Sequence, residues 1–435
     1  MIKYIKQASA NEKKEVQTVQ DTVKTIIDNV IESGDAALRE YSEKFDGIRL
    51  DSIRVSEDDI MKAKKQLPAT LLEDINFSIE RIRSFAQLQR NSISEFENEM
   101  IPGVFLGQKV IPIESVGAYV PGGRYPLLSS AQMAIIPAKV AGVERIQVCT
   151  PPTKTGEVHP AVLVAASLSG ADDIYRVGGA QAIAALAYGT ESIRPVNKIT
   201  GPGNRFVTEA KKQVHGKVGI DLLAGPSEVL VLADESAKPA FVASDLLAQS
   251  EHDVHAQGIL VTDSEELANA VLQEIEVQLN SLPTADVARV SWQNRGQVIV
   301  TSTLDEAIKV TNDLASEHLH VHVKDAPLYL DQLKNYGSLF LGENASVVYA
   351  DKVCGTNHIL PTNEAAKYTG GVWAGTFLKV VTYQRIEQQG IEVLAPHCVR
   401  QSYREGLIGH LRSANIRLTG KLDAEKDLLA TIQTF

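Results

Sequence analysis

The sequence predicts an α/β fold with two parallel-sheet units, a helical N-terminal region and a C-terminal tail. Its length of 435 residues exceeds what a single hydrophobic core organises, which favours two or three units. From about residue 110, short β-branched runs alternate with alanine-rich helical segments, and this alternation indicates βαβ units. In the first hundred residues the apolar positions instead follow the helical period.

The N-terminal region is predicted to be mainly helical. Asp21 is predicted to cap the first helix, and residues 33–35 are predicted to end it. A second helix is predicted from Ala37 toward Gly47, and a longer helical pattern covers roughly residues 57–90. The apolar stripe of the first helix recurs every three or four residues, at Val23, Ile26, Ile27, Val30 and Ile31.

Two successive blocks of alternating elements predict the two sheets. The first block has strands at 145–149 and 173–177 and helices at 160–168 and 180–188. The second block has strands at 229–233, 259–262 and 298–301 and helices at 264–281 and 304–315. We therefore expect two Rossmann-like parallel-sheet domains. Residues beyond about 385 are helix-prone and then polar, which indicates a segment that docks elsewhere in the molecule rather than a domain.

Composition and charge limit the partners and the compartment. The formal net charge of −11 argues against nucleic acid as the main partner, because binding to phosphates requires concentrated Lys and Arg. The three cysteines lie far apart and form no Cys-x-x-Cys, which favours a reducing cytoplasm. The N-terminus does not resemble a signal peptide, and no apolar stretch is long enough to cross a bilayer. We therefore expect a cytoplasmic protein without a membrane partner.

Three glycine turns suggest a ligand cleft, although neither Gly-x-Gly-x-x-Gly nor a P-loop occurs. They lie at 119–123, 177–181 and 201–204. The middle turn follows a strand and opens an alanine-rich helix, whose first backbone N–H groups would face an anion. Each turn taken alone is more often a simple tight turn. Three such turns in one α/β unit favour a cleft at the carboxyl ends of the strands.

Side chains suited to a metal ion are spread over three distant segments. A helical reading of 245–252 puts Gln249 and His252 on one face. Together with an amide oxygen, two imidazoles and a carboxylate make a plausible first shell for Zn²⁺. A surface helix and a helix cap are the alternatives for the first two segments. The acidic and imidazole candidates farther along the chain are Asp351, His358, Glu405 and His410.

Glu317 and His318 form an adjacent acid and imidazole near the end of a helical run. Such a pair supplies a general base and a group that activates water, the alternative being a charge pair at a helix terminus. His320 and His322 have no acidic or glycine neighbours in the sequence, so we expect them to be structural or solvated.

With these motifs in its sequence, the chain resembles the histidinol dehydrogenase family from about residue 4 to about 420. The resemblance implies an NAD-dependent enzyme that takes a primary alcohol through an aldehyde to a carboxylate, in two hydride transfers. It also implies a small-molecule alcohol substrate and an intertwined homodimer with shared active sites. The matching segments are 117–123, 177–183, 201–204, 224–229, 246–252, 317–318, 355–358 and 405–410.

The family's functional residues carry over position by position. By this resemblance, one Zn²⁺ per subunit is held by Gln249, His252, Asp351 and His410. The catalytic pair is His318, which removes protons, and Glu317, which activates water. The substrate is contacted by Ser227, His358 and Glu405 together with His318 and the four metal ligands. NAD⁺ is contacted by Tyr119, Gln181 and Asn204. In the intertwined dimer, Glu405 and His410 enter the partner's active site.

The expected organisation has four parts. Residues 1–20 form an N-terminal extension, and 21–118 with 228–384 form the main α/β domain that carries the metal and catalytic residues. Residues 119–227 form the NAD-binding domain, and 385–435 form a C-terminal dimerisation tail.

Several segments depart from the histidine-pathway pattern. Residues 335–342, 368–375 and 382–384 look more like a branch that includes sulfopropanediol dehydrogenases, and the insert at 352–354 is likewise atypical. The expected reaction is oxidation of L-histidinol to L-histidine, and 2,3-dihydroxypropane-1-sulfonate is the alternative substrate. A third possibility is an inactive relative that binds a metabolite or a metal. The sequence does not say whether Tyr368 and Trp373 line the substrate pocket.

Overall fold

The computed structural model describes residues 2–9, 16–122 and 125–421. Gly123 of the first glycine turn, residues 10–15 of the predicted extension and residues 422–435 of the predicted tail lie outside the described residues. Two compact units are present, Met1–Asn91 with Pro112–Phe377 and Ser92–Ile111 with Leu378–Phe435. These units cut across the four segments expected from the sequence, whose boundaries stay a prediction.

The helices and strands follow one another in the α/β order that the sequence predicts. The helices are α1 (Val16–Tyr41), α2 (Glu57–Gln66), α3 (Ala69–Asn91), α4 (Leu128–Ala141), α5 (Pro160–Ser169), α6 (Gly179–Tyr188), α7 (Arg205–Val214), α8 (Pro239–Ser250), α9 (Glu265–Leu279), α10 (Ala285–Arg295), α11 (Leu304–Leu314), α12 (Val347–Tyr349), α13 (Gln388–Arg404) and α14 (Ile408–Thr419). The strands are β1 (Lys3–Lys6), β2 (Phe96–Ile101), β3 (Val104–Pro112), β4 (Ser115–Tyr119), β5 (Arg145–Cys149), β6 (Asp173–Tyr175), β7 (Lys198–Thr200), β8 (Gly219–Ile220), β9 (Glu228–Ala233), β10 (Gln257–Thr262), β11 (Gln297–Val300), β12 (His318–His322), β13 (Ser338–Leu341) and β14 (Leu378–Ile386).

The N-terminal helices differ from the prediction at their ends. The predicted cap at Asp21 is wrong, because α1 already begins at Val16. The predicted break at 33–35 is confirmed, since Gly34 takes a non-helical backbone conformation there and separates two helices within Val16–Tyr41. The helical pattern at 57–90 is two helices, because Pro68 has no N–H to donate and disfavours a helical residue before it. Four residues of the predicted apolar stripe are buried, namely Val23, Ile26, Ile27 and Val30, whereas Ile31 is 51% exposed.

The first unit contains two sheets. One has the strand order β6-β5-β4-β7-β8 and is parallel throughout. The other has the order β1-β11-β10-β9-β12-β13, in which the edge strand β1 is antiparallel and the remaining strands are parallel. Both sheets are packed with apolar side chains on their helix-covered faces. The two parallel sheets predicted from the alternating pattern are therefore confirmed.

Within the part of the chain that the structure describes, the second unit consists of a small sheet with two helices. Strand β3 pairs with β2 on one side and β14 on the other. Helices α13 and α14 pack against each other around Val399 and Leu411. The helix-prone character predicted beyond residue 385 is therefore confirmed within the described residues. None of the described helices is both long and apolar enough to span a bilayer.

Candidate active site

A cavity of about 860 Å³ lies in the first unit and brings together most of the predicted site residues. Its volume is in the range of pockets that enclose small molecules. The predicted residues that line it are Tyr119, Asn204, Ser227, Gln249, His252, Glu317, His318, Asp351 and His358.

The cavity is lined by opposite ends of strands from the two sheets. From the five-stranded sheet come the carboxyl ends of β4 and β7, with Tyr119 and Asn204, as two of the three glycine turns predicted. The middle turn, at 177–181, is not among the described lining residues. From the six-stranded sheet come the amino ends of β9 and β12, where Ser227 and Glu317 directly precede the strands. A carboxyl-end rule applied to the sequence would therefore miss the side of the cavity that holds the candidate catalytic pair.

His318 is held as a neutral base. Its Nδ1 lies 2.9 Å from the backbone oxygen of Glu228 and 3.2 Å from Gln249 Nε2. The shorter contact is to a carbonyl, which only accepts, so we assign the proton to Nδ1, which donates to Glu228 O. Its Nε2 is buried and has no partner among the described residues. Burial lowers the pKa of His318 to about 4, so at neutral pH the ring is uncharged. The arrangement leaves Nε2 as a buried acceptor that can take a proton.

Glu317 is fully enclosed beside this imidazole. Its Oε2 accepts the backbone N–H of Glu228 at 2.8 Å and lies 3.4 Å from His318 Nδ1. Burial raises the pKa of Glu317 well above its ordinary value, and the nearby Glu228 carboxylate raises it further. A carboxyl group whose pKa is raised in this way is a stronger base when ionised and a usable acid when protonated.

The metal candidates have the donor atoms that a zinc ion needs. Gln249 Oε1 is buried and has no hydrogen-bond donor among the described residues, which fits a cation ligand. Burial lowers the pKa of His252, which favours the neutral ring that binds metals. Asp351 supplies a buried carboxylate, with Oδ1 at 3.5 Å from His358 Nδ1. An amide oxygen, an imidazole and a carboxylate suit Zn²⁺.

Gln249 and His252 both face the cavity, as predicted, but they do not share the face of one helix. Helix α8 ends at Ser250, so His252 lies in the turn that follows. Its backbone N–H donates to Gln249 O at 3.2 Å, and this turn is what keeps both side chains on the cavity.

The candidate dinucleotide side is built around Tyr119. Its hydroxyl accepts a hydrogen bond from the backbone N–H of Gly179 at 3.1 Å. The prediction that the first N–H groups of α6 face an anion is therefore wrong for the N–H of Gly179. Burial raises the pKa of Tyr119 to about 12, which keeps the hydroxyl protonated. Asn204 caps α7 through Oδ1, which accepts from Phe206 N and Val207 N. Gln181 is buried within α6 and is not among the described lining residues.

Gly201 shapes the turn that carries Asn204. Its φ of +118° is a conformation that residues with a side chain rarely adopt. A Cβ there would also lie 2.1 Å from Tyr119 O, so the close approach of the two backbones requires glycine.

Several predicted residues lie elsewhere. Glu405 is the C-cap of α13 and His410 is in α14, so both belong to the second unit, where both are exposed. Tyr368 is 82% exposed and Trp373 is 38% exposed, and neither is among the described residues that line the cavity.

Three residues that the sequence did not single out contribute to the site. Ser130 Oγ lies 3.3 Å from His358 Nε2, and Glu228 fixes the His318 ring through its carbonyl. Lys352, noted only as part of an unusual segment, lines the cavity. No local pattern marks Glu228, because its role belongs to a backbone atom in a strand paired with β12.

Comparisons with known proteins point to one family. The histidinol dehydrogenase family model matches residues 9–418. A histidinol dehydrogenase homolog of Shouchella clausii is 47% identical over 96% of this chain and 99% of its own length. The histidinol dehydrogenase of Methanosarcina mazei is 46% identical over 92% of each chain. The sulfopropanediol 3-dehydrogenase of Ruegeria pomeroyi is 41% identical over 96% of each chain.

A solved structure supports the same assignment. The histidinol dehydrogenase of Elizabethkingia anophelis superposes with a TM-score of 0.90 at 37% identity, over 95% of this chain and 94% of that one. The chain therefore belongs to the histidinol dehydrogenase family of oxidoreductases.

Proposed function

We propose that this protein is a zinc-containing, NAD-dependent dehydrogenase that oxidises L-histidinol through its aldehyde to L-histidine. The observation that carries the proposal is the neutral His318 ring, whose unpartnered Nε2 shares a cavity with the unpartnered Gln249 Oε1. One atom is a proton acceptor and the other is a cation ligand. When an alcohol is oxidised by hydride transfer, its hydroxyl group must be oriented and must lose its proton to a nearby acceptor.

In the first oxidation, His318 Nε2 takes the proton of the alcohol. Its Nδ1–H bond to Glu228 O holds the ring in the required tautomer. Bound NAD⁺ supplies the hydride acceptor, and bound zinc supplies a Lewis acid that orients the substrate. The chain would hold zinc through Gln249, His252 and Asp351, with His410 contributed by the partner subunit of a homodimer.

In the second oxidation, Glu317 takes a proton from the water that adds to the aldehyde. Its raised pKa makes the ionised carboxylate a competent base for that step. The hydrated aldehyde then loses a second hydride, so each substrate yields two NADH and one carboxylate. Ser227, His358 and Glu405 bind the substrate, and Tyr119, Gln181 and Asn204 bind NAD⁺ from a domain spanning residues 119–227.

One observation favours a second substrate, 2,3-dihydroxypropane-1-sulfonate. Lys352 lines the cavity; burial lowers the pKa values of both His252 and His358, and the charge of Lys352 lowers them further. A cation in this position suits a substrate that carries an anionic group, whereas the amino group of L-histidinol is itself cationic at neutral pH. The sulfopropanediol relative at 41% identity supports this alternative.

The deciding experiment measures NADH formation by the zinc-loaded protein with both substrates side by side. L-histidinol should yield two NADH per molecule. Turnover of the sulfonate alone would keep the chemistry and change the substrate. Failure to reduce NAD⁺ with these two or any other alcohol, with zinc and NAD⁺ demonstrably bound, would support an inactive relative.

Two variants assign the roles. His318→Asn should lower kcat by about 10²–10⁴-fold, the usual contribution of a general base, while zinc content stays near one per chain. Lys352→Met keeps most of the side-chain volume and should raise KM only for the anionic substrate. An equal loss for both substrates would remove Lys352 as a selectivity residue.

A further inference from the structure

A buried polar cluster lies behind the candidate catalytic residues. The Asp245 carboxylate is at its centre and accepts three hydrogen bonds from side chains. Oδ2 accepts from His320 Nδ1 at 2.9 Å and His322 Nε2 at 3.1 Å, and Oδ1 accepts from Ser346 Oγ at 2.8 Å. Asp245, His320 and His322 are all buried. Of the two predicted roles for the histidines, structural or solvated, burial therefore excludes the solvated one.

The hydrogen bonds decide whether the cluster holds protons or a metal. Asp245, His320 and His322 are close enough together to suggest a metal site. However, the backbone N–H of Val347 donates to His320 Nε2 at 3.2 Å, so Nε2 carries the lone pair. In a neutral ring the proton is then on Nδ1, which donates it to Asp245 and is not free to bind a metal. The cluster is therefore a hydrogen-bonded junction.

The junction connects the three segments that carry the candidate metal and catalytic residues. Its members come from α8, from β12 and from the segment around α12. Each of the three segments also carries a cavity residue a few positions away along the chain. Asp245 precedes Gln249 by one helical turn, and His320 follows His318 on the same face of β12. Ser346 precedes Asp351 by five residues.

We propose that Asp245 is a positioning residue, which fixes Gln249, His318 and Asp351 at the spacing that metal binding and proton transfer require. This inference rests on the proposed function and adds a residue that touches neither substrate nor cofactor. A buried carboxylate that accepts three hydrogen bonds is a rigid support, because moving any one segment would leave a polar group unpaired in a low-dielectric interior. Mutating a residue that supports metal ligands from behind commonly lowers metal affinity or activity by about 10–100-fold.

The test compares Asp245→Asn with Asp234→Asn in the full-length protein. Asp234 also accepts hydrogen bonds, from Ser236 and Lys324, but it follows the carboxyl end of β9, away from the cavity. We measure kcat, KM, the zinc dissociation constant by competition with a chelating dye, and thermal unfolding. Asp245→Asn should weaken zinc binding and lower kcat by about 10-fold or more, while Asp234→Asn leaves both unchanged.

A second pair of variants keeps the proposal testable if Asp245→Asn does not fold. His322→Gln retains a donor near the position of Nε2, whereas His322→Leu removes it. The glutamine variant should retain most of the zinc affinity and kcat, and the leucine variant should lose both. Equal behaviour of the two would contradict a role through the bond to Asp245.

Other outcomes separate this inference from the proposed function. A lower melting temperature with unchanged kcat and zinc affinity in the folded protein would make the cluster purely structural and overturn the proposal. A second zinc ion per chain, lost in Asp245→Asn, would overturn the hydrogen-bonded assignment. If the wild-type protein turns over neither substrate, the proposed function fails. The zinc affinity of the variants, or the NMR signals of the His318 ring if no zinc binds, then tests the positioning alone.

Discussion

Removing the charge of Lys211 should destabilise the protein far more than removing the charge of its neighbour. Lys211 and Asp221 form an ion pair in which both side chains are almost completely buried. Lys211 Nζ also donates to Gly201 O at 2.9 Å, so the pair supports the turn that begins at Gly201. In Lys211→Met, the side chain keeps its length but the Asp221 carboxylate loses its counter-charge in the interior.

The structure sets the size of the effect. Breaking a buried pair from one side costs about 3–5 kcal/mol, because an uncompensated charge remains. Asp221 keeps three other donors, namely Thr200 Oγ1 at 3.0 Å, Gly201 N at 2.8 Å and Leu222 N at 2.6 Å. These bonds continue to stabilise the carboxylate, so we expect a loss of unfolding free energy at the lower end of that range, about 3 kcal/mol. For a chain of 435 residues, whose entropy of unfolding is about 0.9 kcal/mol/K, that corresponds to a drop in Tm of roughly 3 °C.

The assay is thermal unfolding followed by circular dichroism, with Lys212→Met as the matched control. Lys212 is one residue further along α7, where its side chain is 56% exposed and lies 3.8 Å from Glu209. Exposed pairs of this kind contribute about 0–1 kcal/mol, so the control should change Tm by at most about one degree. If Lys211→Met lowers Tm no more than Lys212→Met does, the reasoning about the buried pair is wrong.

Three further predictions concern the site. Chelation of zinc should abolish NADH formation, and one zinc ion per chain should restore it; full activity of the metal-free protein would remove zinc from the mechanism. His410→Asn should lose zinc, and mixing it with His318→Asn should restore up to roughly a quarter of wild-type activity if dimers exchange subunits and share sites. No recovery in mixtures proven to exchange would mean that each site is complete in one chain. Gly201→Ala should lower stability by at least about 2 kcal/mol and weaken NAD⁺ binding, because its Cβ would meet Tyr119 O. Gly216→Ala is the control, with a φ of +102° and no neighbouring atom within 4 Å; equal losses in thermal unfolding would assign the effect to backbone strain alone.

The order of the elements could be predicted because it depends on local patterns. The strand at 145–149 and the helices near 160–168 and 180–188 are found within a residue or so of their predicted ends. Alternation and helical spacing reflect which side of an element is buried, and this is encoded in neighbouring residues. A predicted end was wrong where a residue type suits both a helix cap and a helix interior. Asp21 is of a type that often caps helices, but it lies inside α1.

The site was only partly predictable, because its groups interact across long distances in sequence. Residues resembling family motifs, such as Gln249 and Glu317, do line one cavity. The bond that fixes the His318 tautomer comes from a backbone oxygen of Glu228, which has no side-chain signature. Likewise, His320 gave no acidic context in the sequence, although Asp245 contacts it from 75 residues away.

The sequence by itself determined the α/β class, the two parallel sheets and the residue types available for chemistry. Each of these follows from periodicity or from motifs that are continuous along the chain. Only the tertiary structure decided that β14 pairs with β3, that the amino ends of β9 and β12 line the cavity, and that Asp245 lies between His320 and His322. The physical reason is that strand pairing, burial and tautomer depend on partners brought together by folding, and no local pattern specifies those partners.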